Sequence, residues 1–242
     1  MSDGDTSSGE AIEAFSSLLR ERHRWRSASL KIPLDLLEQL RASGGKLTCL
    51  EYLTLMTPRS RRNRRTLPLG DVSNVFIDAP SLRKVITHLA ASFTSIHNLR
   101  THSLLEELHL EVKADDDIAL LHCVTLPNVR RLSVSSVEVL RHLCLPSLKH
   151  LTFDRYSMGV LLFAHDDVEA AADILSDFIR SSHCSLTSLA TRTSIVYASN
   201  FIQESLPLLE SLTSLAFEID NVSEPSLYDT LMCPTFSPIY NF

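Results

Sequence analysis

Apolar residues recur along this chain in a frame of relative positions 1, 4 and 6, not in long runs. Full copies are Leu50, Leu53, Leu55; Leu105, Leu108, Leu110; Val129, Leu132, Val134; Leu148, Leu151, Phe153; and Leu212, Leu215, Phe217. Weaker copies are Leu82, Val85, Thr87 and Leu186, Leu189, Thr191, and Trp25, Ala28, Leu30 reads as a first one. The pentapeptide SLTSL, at Ser185–Leu189 and again at Ser211–Leu215, is the plainest self-similarity. Positions 4 and 6 share one face of a strand, and position 1 tucks into the turn that leads in. Pro80, Pro127 and Pro146 stand two residues ahead of their frames. A fixed φ and a missing N–H suit the start of a strand there.

Between the frames the period changes from two to 3.6. Ala171, Ile174, Leu175, Phe178 and Ile179 make a helical stripe, which Asp166 or Asp167 is placed to cap. Ile12, Phe15, Leu18 and Leu19 make another; Leu34, Leu37 and Leu40 a third behind Pro33; Phe93, Ile96 and Leu99 a fourth. Ser199, Phe201 and Ile202 open a further short helix ending near Pro207. Strand and helix in alternation predict right-handed parallel crossovers. From Leu50 onward, successive first positions lie 32, 23, 24, 19, 38 and 26 residues apart, scattered around a leucine-rich-repeat length. The predicted fold is therefore α/β: an irregular leucine-rich-repeat-like solenoid of parallel strands and crossover helices. It spans residues 11–242, behind a disordered tail at 1–10. Irregularity follows from the residues three beyond position 6. Regular repeats place Asn or Cys there; this chain has Pro58, Lys113, Val137, Tyr156 and Asp220.

Composition narrows the function. Six glycines among 242 residues leave little for glycine-lined cofactor loops or tight hairpins. The net charge of −6 gives no global attraction to nucleic acid or anionic lipid. No apolar run is long enough to span a bilayer, and MSDGDTSSGE lacks the features of a secretion signal. Five cysteines (Cys49, Cys123, Cys144, Cys184 and Cys233) never form a CxxC pair. This fits a reducing cytoplasmic or nuclear setting, with four of them as small buried hydrophobes.

Ten histidines invite a catalytic or metal-binding reading. No GxSxG, Walker sequence, GxGxxG or HExxH occurs. His109, Asp115, Asp116, Asp117, His122 and Cys123 lack the i, i+4 or CxxC spacing of a metal site, and read as a strand end and a solvated acidic turn. His97 and His102 are five apart and share no helix face. Arg59 to Arg65 (RSRRNRR) reads as a solvated basic loop, because no aromatic residues interleave for base stacking. The expectation is a non-enzymatic chain without cofactor or metal.

With the frames laid out, the chain resembles the leucine-rich-repeat-like region of basidiomycete fungal F-box proteins. The resemblance is carried by HRWRSASLKIP (His23–Pro33), GKLTCLEYLTL (Gly45–Leu55), DAPSLRKV (Asp78–Val85), LLEELHL (Leu104–Leu110), LTFD (Leu151–Asp154) and CSLTSL (Cys184–Leu189). It runs over roughly residues 12–219, and its succession of motifs is more specific than any one of them. It implies a substrate-reading region of a cullin ubiquitin-ligase receptor, whose F-box docks on a Skp1-type adaptor. No F-box-like LPxE helix precedes Ile12, so adaptor binding is expected only if an F-box is supplied elsewhere. An enzyme with an unrecognised Asp/His site, a truncated non-functional fragment and a nucleic-acid binder through Arg59–Arg65 are the alternatives.

In such a solenoid the exposed face of the sheet would present positions 3, 5 and 7. The residues expected to hold a protein partner are Lys84, Glu107, His109, Glu111, Arg131, His150 and Asp154.

Overall fold

Where the frame repeats, a strand forms. A computed structural model describes residues 6–33, 36, 39–40, 47–56, 79–91, 99–112, 123–153, 165–192 and 209–218. Eight strands make one open sheet: β1 (Ser27–Lys31), β2 (Tyr52–Met56), β3 (Lys84–Ala91), β4 (Glu107–Val112), β6 (Arg131–Val134), β8 (His150–Phe153), β9 (Ser188–Arg192) and β10 (Ser214–Glu218). They lie side by side in chain order, and every pairing is parallel. A second, two-stranded parallel sheet joins β5 (Val124–Thr125) to β7 (Leu143–Cys144).

The register aligns the frames residue for residue. Ala28, Leu53, Val85, Leu108, Leu132, Leu151, Leu189 and Leu215 are all position 4, and they form a single row across the sheet. All but Leu215 are buried, as is the position 6 row from Leu55 through Thr87, Leu110, Val134 and Phe153 to Thr191. Position 1 is buried from Leu50 to Leu186, and Trp25 and Leu212 are partly buried at the two ends. Leu215 is 39% exposed because β10 is the edge strand of the sheet.

A fourth repeating position precedes the other three. Leu47, Ala79, His102, Leu126, Leu145 and Leu209 each stand three residues before position 1, and all are buried. Most begin a turn closed by a hydrogen bond from the position 1 N–H, as in Leu82 to Ala79 at 3.1 Å and Leu148 to Leu145 at 3.1 Å. Pro80 and Pro146 take the second place of these turns, where their fixed φ is preorganised. His102 is thus a core residue, its Nδ1 lying 3.0 Å from the Ala79 carbonyl oxygen. At each strand's start, one position 2 carbonyl accepts from two N–H groups of the next strand. Glu106 O, for example, accepts from Arg130 N at 2.8 Å and Arg131 N at 3.1 Å.

Two α-helices are described along their length, α1 (Thr6–Arg20) and α2 (His165–Ser182). Leu36, Gln39 and Leu40, in the helix predicted behind Pro33, are helical too, with Leu36 and Leu40 buried. The 19-residue step from β6 to β8 holds only a 3-10 helix (Val137–His142) and β7, whereas the 38-residue step to β9 has room for α2. Repeat length therefore decides which connector fits. Ala171, Ile174, Leu175 and Phe178 bury one face of α2, which packs on the 3-10 helix and β7. It starts at His165, so Asp166 and Asp167 stand inside its first turn and not at the cap. His183 closes it at φ 50, a left-handed conformation usual just past a helix end. The buried Ser182 hydroxyl then accepts from Leu145 N at 3.1 Å, tying the helix to the β7 turn.

The helix α1 includes residues 6–10, which the sequence assigns to a tail. Only Phe15 and Leu19 of its stripe are buried, and Leu18 is 57% exposed. Leu99 belongs to a 3-10 turn (Leu99–Thr101). The rest of the stripe leading to it, the Arg59–Arg65 run, the Asp115–Asp117 turn and the Ser199–Pro207 segment lie outside the described residues. Cys184 is buried as expected, but Cys49 and Cys123 are exposed, because each lies on a turn or strand margin where the next residue, Leu50 or Val124, takes the core position.

Candidate protein-binding face

Period-two alternation that buries positions 4 and 6 turns 3 and 5 to the opposite side of the sheet. Position 3 runs Ser27, Tyr52, Lys84, Glu107, Arg131, His150, Ser188, Ser214, in that order across the strands. Tyr52, Arg131, His150 and Ser214 are exposed, and Lys84, Glu107 and Ser188 are half-buried. Position 5 is half-buried from Thr54 through Ile86, His109, Ser133 and Thr152 to Ala190. Among the described elements, the strands of this sheet make their main contacts with one another, and α2 packs on the 3-10 helix and β7.

Position 7 does not continue the pattern. The register between β3 and β4 shifts after Thr87, so Glu111 pairs with Ala90 instead of His88. Ser135, next in that row, is buried, and its N–H reaches Leu110 O at 3.1 Å. The extra residues of β3 and the turn that follows β6 break the row. Of the residues expected to hold a partner, Lys84, Glu107, Arg131, His150 and His109 are brought together on rows 3 and 5. Glu111 keeps its place in β4 but not its predicted neighbour. Asp154 lies outside the described residues.

The charged groups are organised more tightly than the sequence indicates. Lys84 Nζ lies 2.7 Å from Glu107 Oε1, and both side chains are about one-third exposed. One position earlier, Arg83 meets Glu106 at 2.9 Å, and on the preceding strands Arg26 meets Glu51 at 3.9 Å. These are cross-strand pairs at matching frame positions, which a register reading of positions 2 and 3 would have found.

No family model, curated protein or solved structure matches this chain.

Among the described residues no group of three or more His, Cys, Asp or Glu side chains is placed to hold a metal ion. Burial pushes the Cys184 thiol above its ordinary value, and the nearby Lys149 charge pulls it only partly back. A thiol so placed stays protonated at neutral pH and is a poor nucleophile. No helix among the described residues is long and apolar enough to cross a membrane.

Proposed function

We propose that this chain is a non-enzymatic protein-interaction module, an irregular leucine-rich-repeat-type solenoid that holds another protein on the sheet face that presents positions 3 and 5. The observation that carries the reading is the contrast between the two faces. One is clad by a continuous leucine-rich core, while the other presents rows of Tyr, Lys, Glu, His, Arg and Ser side chains. A rigid, open parallel sheet with chemically varied rows suits recognition of an extended surface. The resemblance over roughly residues 12–219 supports a narrower role, substrate reading for an F-box/cullin ubiquitin ligase in the cytoplasm or nucleus.

Photo-crosslinking tests the face directly. A crosslinking amino acid is placed at His109 or Thr152 on the sheet, or at Asp173 or Arg180 on α2. The sheet positions are expected to trap a common protein in cells, and the α2 positions to trap none in common. Partners trapped from α2 alone would move the site to the helical side and overturn the reading. The ligase role has its own readout: fusing an F-box to the chain is expected to shorten the trapped protein's half-life in a cullin-dependent manner.

A further inference from the structure

Six charged residues occupy positions 2 and 3 of β1 to β4 and the turns before them: Arg26, Glu51, Arg83, Lys84, Glu106 and Glu107. All six are engaged in the three ion pairs described above. The same positions on β6 to β10 read Arg130, Arg131, Lys149, His150, Thr187, Ser188, Thr213 and Ser214, with no acidic residue. Arg130, Arg131, Lys149 and His150 are all exposed. Register pairs Arg131 with His150, so the four side chains sit on neighbouring strands about 4.8 Å apart. Glu107 is opposite Arg131 on β4, yet its carboxylate is taken up by Lys84 at 2.7 Å. On the other flank the rows offer only hydroxyls.

We propose that this corner of the sheet is the docking point for an acidic segment of the protein partner, a short extended stretch bearing several carboxylates. The inference deepens the interaction-module reading and rests on it. The Arg131 guanidinium on the exposed row gives a carboxylate a bidentate partner, and Arg130 and Lys149 add charge at the strand entries one residue earlier. Threonine and serine hydroxyls on β9 and β10 extend the platform with neutral donors. Glu106 and Glu107 fence it on the β4 side, where an approaching carboxylate meets like charge. The patch is cationic in a chain whose net charge is −6, so its positive sign is local. That setting disfavours nucleic acid, whose long run of phosphates would extend beyond two strands onto neutral hydroxyls on one side and carboxylates already paired on the other. No Phe, Tyr or Trp stands in positions 2 and 3 of β6 to β10 for base stacking.

Fluorescence anisotropy with a labelled hexaglutamate peptide tests the proposal, with hexaglutamine and an oligothymidylate of matching charge as comparison probes. Hexaglutamate is expected to bind at low salt and hexaglutamine not at all, with affinity falling as salt screens the contact. The double variant Arg131→Gln, Lys149→Gln should weaken peptide binding at least about tenfold. Lys31→Gln with Arg180→Gln removes the same charge away from the corner and should leave binding within about twofold. Circular dichroism checks that both variants are folded. Equal loss in both would reduce the effect to overall charge and overturn the proposal, and so would tighter binding of oligothymidylate than of hexaglutamate. In cells, sheet-face crosslinks that survive Arg131→Gln, Lys149→Gln would keep the module reading while removing this docking point. Loss of every sheet-face crosslink in the unsubstituted chain would remove both.

Discussion

The first four strands of the large sheet and the last four share one inner face and differ on the other. Inside, β2 and β6 are interchangeable: Leu53 and Leu132 occupy the same row and are 3% and 2% exposed. Outside, the charges at positions 2 and 3 of β1 to β4 pair across strands, while among the described residues the cations at those positions of β6 and β8 have no acidic partner. The difference separates two roles that a repeat usually blends. What recurs builds the sheet, and what fails to recur carries the chemistry offered to a partner.

The sharpest way to break the comparison is to cut the inner face in both halves. Leu53→Ala and Leu132→Ala are each expected to cost about 2–5 kcal/mol, since both leucines are fully packed. Denaturant melts should return similar losses for the two. A loss confined to one half would mean that the two halves are not one core. Leu215→Ala, on the same row at the exposed edge, should cost only about 1 kcal/mol.

Thr191 sharpens the same comparison from within the second half. It takes position 6, where β2 has Leu55 and β8 has Phe153, and its buried hydroxyl has no hydrogen-bond partner among the described residues. Thr191→Val removes that hydroxyl at constant shape, so it is expected to be neutral or stabilising by about 1 kcal/mol. Destabilisation in a thermal melt would show that the hydroxyl is satisfied after all.

Much of this was legible in the sequence, for a physical reason. The 1-4-6 frame is a burial pattern, and a one-residue slip would turn every leucine outward, so the pattern fixes strand position and register together. It placed even the weak copies: Thr87 and Thr191 are buried like the leucines they replace. Repeat length, by contrast, was read as a spacing and not as a space to be filled. Hence the connector between β6 and β8 came out as a 3-10 helix where crossover helices were expected. The buried residue three before position 1 was missed because its identity varies from Leu47 to Ala79 to His102, and only its place is constant. Of the candidate site, rows 3 and 5 were legible from alternation. The same register aligns positions 2 and 3, but it does not say which flanking cation an acid takes: Glu107 lies between Lys84 and Arg131 and pairs with Lys84.

The smallest effect decides whether the outer faces of the two halves truly differ. Glu107 stands between two cations, with Lys84 opposite on β3 and Arg131 opposite on β6. Its carboxylate lies 2.7 Å from Lys84 Nζ, and among the described residues no ion pair joins it to Arg131. A double-mutant cycle between Lys84→Gln and Glu107→Gln is therefore expected to return a coupling of about 0.2–1 kcal/mol, the range for partly exposed pairs. The cycle between Arg131→Gln and Glu107→Gln should return almost none. Both couplings should vanish near 1 M salt, where screening acts over about 3 Å. Arg131→Gln alone should change stability by no more than about 0.5 kcal/mol, as exposed substitutions do. A coupling to Arg131 as large as that to Lys84 would mean that Glu107 neutralises both cations. The second half would then be no more open to an acidic partner than the first, and the contrast between the halves would fail on its outer face while standing on its inner one.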